Sequence, residues 1–501
     1  MQMTLGKLSH RLTATNFGRV GLWTLFGILA VVLAMFFGLL AVTASPILIG
    51  MGAGLVIGAF LLMKPDVLIW LILLLGLAMG AFVSMLAPQY SKITWAVSIL
   101  GFVLLALSLF NLALPGKSRG QPAFIWLGLA FLIVGLATTL IQWNSTGEVI
   151  AGVKRLYQAY GLMFGIATLA LSAREIGRFQ KLLLAIALIQ LPFALYEFLF
   201  LVQERGGLEA GSTTTDVVAG TFGANLEGGS PNSVMAVFQL IILGFLFARW
   251  KEKLLSTRMM VLLGLPVVAV FFLGEVKFLF VMLPVAFIVL LKRDIPRRPG
   301  FFILMSLIGL LFIVSLGYLY SVFIIRQPIE HIIEDTLAYN VRDAGYGTYF
   351  LNRLTVLEFW WQRQGWDDPV SFMFGHGLGS AFSGPSVVPG HIAMKWPQYG
   401  IDLTAASSLL WDTGVMGLTL FLLTLMAAWH ACNVLQRGSH NVRVIADATA
   451  IQSAIALFGV FVFYNNSLVN HPSMEIIVAC VLGYLAYLYR QFRLGSTISV
   501  S

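Results

Sequence analysis

The chain has 501 residues, of which 59% are apolar and 11% charged, and its net charge is +9. Soluble domains carry about 25% charged residues, so this composition excludes an ordinary soluble protein. The positive charge does not point to nucleic acid, because the basic residues are spread between apolar runs and do not gather on one patch.

A helix rising ~1.5 Å per residue needs about 20 apolar residues to cross the roughly 30 Å hydrocarbon core. Fourteen runs are predicted to do so, near 22–43, 46–63, 66–87, 93–114, 121–141, 156–172, 180–203, 233–248, 258–273, 276–291, 300–320, 404–429, 446–464 and 475–489. With Lys7, Arg11 and Arg19 inside, alternate connections hold 21 of the 31 lysines and arginines. That excess predicts an all-α polytopic membrane protein with both termini cytoplasmic. The first run follows basic residues as a signal peptide would, yet it is too long for one and a second run follows closely, so it reads as an uncleaved span. The two cysteines, Cys432 and Cys480, have neither metal-site spacing nor a plausible disulfide geometry.

Four regions follow: N-terminal spans over 1–203, central spans over 204–320 with an outer loop at 204–232, a large outer loop over 321–403, and C-terminal spans over 404–501. The first loop is rich in Gly, Ser and Thr, which predicts tight turns and no core. The second carries Arg326, His331, Arg342, Arg353, Arg363, His376, His391 and Lys395 among four tryptophans. Within it, 349–364 places Leu351, Leu354, Leu357 and Trp361 at helical spacing, which predicts a helix lying in the membrane interface.

Ionisable residues inside spans are costly and normally face a partner or a cavity. Glu197, Glu275, Lys277, Asp412 and Glu475 all fall toward outer span ends, which predicts one polar chamber opening outward and no comparable set in the inner halves. No phosphate-binding P-loop, zinc-protease helix or dense metal-ligand spacing is present. Asp367-Asp368-Pro369 reads as a turn, and Gly375-His-Gly-Leu-Gly-Ser380 as a backbone bend. The outer arginines beside an aromatic-lined cavity suit a diphosphate, since the planar guanidinium binds phosphate bidentately; contact with lipid phosphates is the plainer use of each.

Three stretches then stand out together: Gly220-Thr-Phe-Gly-Ala-Asn with Pro231-Asn-Ser-Val-Met-Ala; Asn352-Arg-Leu with Phe359-Trp-Trp and Phe374-Gly-His-Gly-Leu-Gly-Ser; and Ser408-Leu-Leu-Trp-Asp-Thr-Gly-Val-Met-Gly-Leu. In their order and spacing, over 215–465, they resemble signatures of the O-antigen ligase/polymerase superfamily, polytopic enzymes that polymerise or transfer bacterial surface polysaccharides. The His-Asn that ligases carry ahead of the late-span acid is replaced by Ile401-Asp402-Leu403-Thr404. The arginine that often precedes Gly-Thr-Phe is missing too, where Asp216-Val-Val-Ala stands. Both departures favour a polymerase.

The resemblance implies a Wzy-like polysaccharide polymerase of the bacterial inner membrane. Its substrate would be undecaprenyl-diphosphate-linked oligosaccharide repeat units, joined at the periplasmic face without metal or cofactor. Membrane lipids, a chain-length regulator and a flippase would be its partners. It implies Arg353 and Lys277, then Arg342 and Arg326, as cations offsetting leaving-group charge. His391, Asp402 and His331 are the base candidates, in that order. Asp216 and Glu227 are candidates for sugar hydroxyls, with Asp412 in the substrate chamber. An O-antigen ligase and a lipid-linked sugar flippase are the alternatives; the one-sided polar groups argue against a transporter, whose sites face both sides in turn.

Overall fold

The computed structural model describes residues 58, 63–86, 94–116, 118–208, 212–227, 229–274, 278–319, 321–322, 330–331, 334, 337, 351–384 and 388–495. The chain divides into two units, 1–65 and 66–501. Of the first, only residues 58 and 63–65 are described, so the predicted spans 22–43 and 46–63 fall almost wholly outside the described residues.

Among the described residues every regular element is helical, and eight helices are long and apolar enough to cross a membrane. The protein is a polytopic helical membrane protein. In chain order the main helices are α1 (Pro65–Leu77), α2 (Met79–Leu86), α3 (Thr94–Ala113), α4 (Ala123–Ile141), α5 (Thr146–Tyr157), α6 (Tyr160–Thr168), α7 (Ala173–Tyr196) and α8 (Asn232–Lys251). They continue as α9 (Thr257–Ala269), α10 (Leu279–Leu291), α11 (Pro299–Leu319), α12 (Thr355–Gln364), α13 (Pro369–Phe374), α14 (Ala405–Gly438), α15 (Val442–Phe461) and α16 (Pro472–Arg493). The predicted spans at 66–87 and 258–273 are shorter or broken pieces here.

The stretch 156–172 is not one span. Ser145 caps an earlier helix, its hydroxyl accepting from Glu148 N at 3.3 Å. That helix, α5, ends at Tyr157, and a separate α6 of nine residues follows. Every residue of α6 from Gly161 to Thr168 is buried, as expected of a short helix apolar all round. It reaches that depth because glycines face each other: a Cβ on Gly101 would overlap Gln158 O, and one on Gly161 would overlap Gly101 O. So α6 sits clasped between α3 and α16, while α4 lies along α14.

The 204–232 connection does build a core. Val217, Val218 and Ala219 are fully buried. The reason is Glu197, at a π-helical turn ending α7, whose Oε2 accepts from Ala219 N (2.7 Å) and Gly220 N (2.6 Å). Gln190 adds two bonds, accepting from Thr221 N (2.8 Å) and donating to Thr221 Oγ1 (2.6 Å). A buried carboxylate holding backbone amides replaces the core that the Gly/Ser/Thr composition lacks. Glu197 therefore fastens the 219–220 turn to the end of α7.

The large loop has a hydrophobic centre of its own. Helix α12 turns Val356, Phe359 and Trp360 inward against Phe372, Ile401 and Trp411. The predicted stripe was rotated: Leu354 and Trp361 are 55% and 53% exposed. Asn352 sets that register by accepting from Leu354 N (2.9 Å) and Thr355 N (2.8 Å), so the helix starts later than the apolar spacing suggests.

Candidate functional site

The site forms where the large loop meets α14. Thr404 caps α14, its hydroxyl accepting from Ser407 N at 3.0 Å, and the helix breaks at Gly414 (φ 65°). The 375–379 turn fills that break. His376 N donates to Trp411 O (2.8 Å) and Gly377 N to Asp412 O (3.1 Å). Gly375 has φ 79°, and a Cβ there would overlap Thr413 N; a Cβ on Gly414 would overlap the Met373 carbonyl. Two glycines are needed because two backbones touch.

Asp412 locks the contact. Its Oδ1 accepts from Ser380 Oγ (2.9 Å) and Ala381 N (3.0 Å), and its Oδ2 from Gly379 N (2.9 Å). The carboxylate expected in the substrate chamber thus spends its acceptors on the turn.

Helix α5 lies across this turn. Glu148, Gly152 and Arg155 recur at i, i+4 and i+7, on one face. Gly152 lets the helix close in, since a Cβ would overlap Leu378 O. Glu148, 4% exposed, pairs through Oε1 with His391 Nδ1 at 2.7 Å, and Asn144 donates to its Oε2 at 2.7 Å. Burial pushes the Glu148 carboxyl up, but the hydrogen bonds from His391 and Asn144 outweigh it and hold the group below its ordinary range. Glu148 therefore stays ionised beside the imidazole. His391 Nε2 makes no hydrogen bond among the described residues.

Arg155 lies 2.9 Å over the Phe382 ring. Among the described residues its guanidinium makes no hydrogen bond, and Nη1 is buried. Burial lowers its pKa to about 10, with the attraction of Asp412 and then Asp402 opposing. It remains cationic at neutral pH. A small cavity of about 30 Å³ opens between Arg155, Phe382, Asp402, Asp412, Val469 and Asn470.

Asp402 lines that cavity, but it accepts from Ser383 Oγ at 2.5 Å; burial raises its pKa. Arg353 approaches by way of Tyr464: Nε donates to Tyr464 O (2.7 Å) and the guanidinium stands 4.1 Å over the ring. The same ring stacks on Phe278 at 3.5 Å. From Tyr464 the chain runs to Asn466, which donates to Asp402 O at 2.8 Å, and on to the cavity wall at Val469 and Asn470. Asp402 and Asp412 thus line one cavity, His391 meets Glu148 on the helix beside it, and Arg353 is held at Tyr464. Lys277, Arg326 and Arg342 lie outside the described residues, and His331 is exposed.

Asp216 and Glu227 are not brought here. Asp216 accepts from Asn232 Nδ2 (3.0 Å) within the 212–232 segment, and Glu227 is exposed on it. Glu475 is also separate: its Oε1 accepts from Gln158 Nε2 (3.0 Å), which accepts in turn from Ser98 Oγ (2.8 Å). Of the five residues of the predicted chamber, Glu197, Asp412 and Glu475 each bond to different partners, while Glu275 and Lys277 lie outside the described residues. No family model matches the chain, and no curated protein matches it.

Arg155 and Glu148 were missed in the sequence because the apolar run begins after them. The signal was present: Ser145 with Glu148 three residues on is a helix-start pair, and a helix begun there puts both charges on one face. Asp368 does make the expected turn, accepting from Ser371 N (3.1 Å) and Ser371 Oγ (2.6 Å). No group of three or more His, Cys, Asp and Glu arranged to hold a metal occurs among the described residues. Cys432 and Cys480 are both free and buried.

Proposed function

We propose that the protein is a membrane glycosyltransferase that joins lipid-diphosphate-linked oligosaccharide units, with the Arg155 cavity as its active site. The observation that carries the reading is a half-buried guanidinium with no hydrogen bond among the described residues, on the same helix face as a carboxylate that orients a histidine. An arginine fork held without a partner has its donors available for phosphate oxygens. Its charge counts for more in a site screened from water than it would in solvent.

In this reading the acceptor sugar hydroxyl gives its proton to His391 Nε2 as its oxygen bonds to the donor's anomeric carbon. The bond from that carbon to the diphosphate breaks, and the electron pair leaves with the lipid diphosphate. Arg155 stabilises the charge that grows there, with Arg353 at the far side of the 464–470 segment as the second cation. Glu148 holds the imidazole in one tautomer and stabilises the imidazolium that forms. Asp402 and Asp412 shape the site. The sequence signatures at 220–236, 352–380 and 408–418 favour a polymerase among such enzymes, and the charge asymmetry along the chain favours chemistry at the periplasmic face of an inner membrane.

The test is reconstitution in proteoliposomes with undecaprenyl-diphosphate-linked single repeat units. A ladder of lengthening lipid-linked products supports the polymerase. Transfer of preformed polymer to a lipid acceptor without a ladder would make it a ligase. Sugar crossing the bilayer with no new glycosidic bond would make it a transporter.

A further inference from the structure

At the bundle end away from the glycine turn, α7, α8 and α16 enclose a larger cavity of about 360 Å³, open to the outside. Its walls are largely apolar, with Ile176 from α7, Phe238, Ile241 and Phe245 from α8 and Ile477 from α16, and Arg443 also lines it, donating to Gln180 Oε1 at 3.3 Å. Its rim is cationic. Arg174, Arg178 and Lys181 stand at i, i+4 and i+7 on α7, all exposed. None of the three has a carboxylate partner among the described residues. The acid next to them is occupied, because Glu175 accepts from Ser172 N (2.6 Å) in the helix cap. Arg249, deeper in the wall, is neutralised by Asp447 through bonds of 2.7 and 2.9 Å. The rim therefore presents three uncompensated positive charges above an apolar slot.

A purely polar anion would leave the slot unused, and a purely apolar ligand would leave the three cations unused. A molecule with a phosphate at one end and a hydrocarbon chain at the other uses both. We propose that this cavity is a binding site for an anionic phospholipid of the adjoining leaflet, its phosphate among Arg174, Arg178 and Lys181 and one acyl chain between α7, α8 and α16. The site stands apart from the Arg155 cavity and does not depend on the reaction assigned there.

Gly177 supplies a clean probe. It lines the slot, and a Cβ added there meets nothing within 4 Å. Gly177→Leu should fill the slot while favouring the helix. The full-length protein in mixed micelles of phosphatidylglycerol and phosphatidylcholine is separated from free lipid, and the retained lipid is counted by mass spectrometry. The wild type should retain phosphatidylglycerol preferentially. The triple variant R174Q/R178Q/K181Q should lose that preference on the order of a hundredfold, at about tenfold or less per charge. G177L should retain less of both lipids with its thermal stability intact. Equal retention of the two lipids by the wild type, or undiminished phosphatidylglycerol in both variants, would overturn the proposal. Displacement of the lipid by glycerol phosphate at equal concentration would also overturn it, since a soluble phosphoester would then be the ligand.

Discussion

Two half-buried arginines at opposite ends of the bundle contrast a paired cation with an unpaired one. Arg249 makes two bonds to Asp447 and one to Gln180, and Tyr484 Oη donates to Asp447 Oδ2 at 2.7 Å. The Asp447 carboxylate answers the charge of Arg249 there, and the cluster ties α7, α8, α15 and α16 together. Arg155 is held by an aromatic ring and by the field of two aspartates already bonded to the loop. Its position is fixed while its donors are unused. A cation kept buried in that condition is destabilising unless something arrives to use it. In the proposed reading, function is marked by an unanswered charge more than by any motif.

The largest effect expected tests the scaffold side. Asp447→Asn leaves Arg249 buried without its counter-charge and should cost about 3–5 kcal/mol. Thermal unfolding in detergent should show a large drop in midpoint, with activity per folded molecule unchanged. On the site side, His391→Ala should cut product formation at least ~100-fold, the range for loss of general-base help, with little change in unfolding. Glu148→Gln should lose activity in the same direction by less, because it orients the imidazole without touching substrate. If both variants unfold as Asp447→Asn does, the Glu148–His391 pair is structural and the contrast fails.

Smaller effects probe the glycine turn between them. Gly414→Ala places a Cβ against the Met373 carbonyl at positive φ and should cost about 1–3 kcal/mol. The turn should also respond to pH through His376, whose Nε2 donates to Gln364 Oε1 at 2.7 Å. Burial, followed by repulsion from His391 and Lys395, lowers its pKa from 6.5 to about 4. Between those values the unfolded imidazole binds a proton that the folded one refuses, so the unfolded state holds more protons and stability falls as pH drops through that window. Above pH 6.5 this contribution is complete. A urea midpoint measured from pH 7 to pH 4 should decline, and less steeply in His376→Gln.

The sequence made the membrane class readable because span length and charge bias are local properties. The glycine turn was readable as a bend for the same reason, and Asp368 as a turn former. What could not be read were pairings across long stretches of chain. Nothing near Asp412 says that residues 379–381 will bind its carboxylate, and nothing near Glu197 says that the 219–220 amides will come to it. Helix boundaries were read from apolar runs, so Glu148 and Arg155, on a helix that is polar along one face, fell into a connection. Two of the arginines expected in the site, Arg326 and Arg342, and Lys277 lie outside the described residues.

The direct test of the central claim is Arg155→Met in the proteoliposome assay with a lipid-diphosphate-linked repeat unit, beside its thermal unfolding curve. An available cation at the leaving diphosphate predicts that the product ladder falls about 100- to 1000-fold while the unfolding midpoint holds or rises. A full ladder from Arg155→Met, or a protein that no longer folds without that guanidinium, would contradict the account.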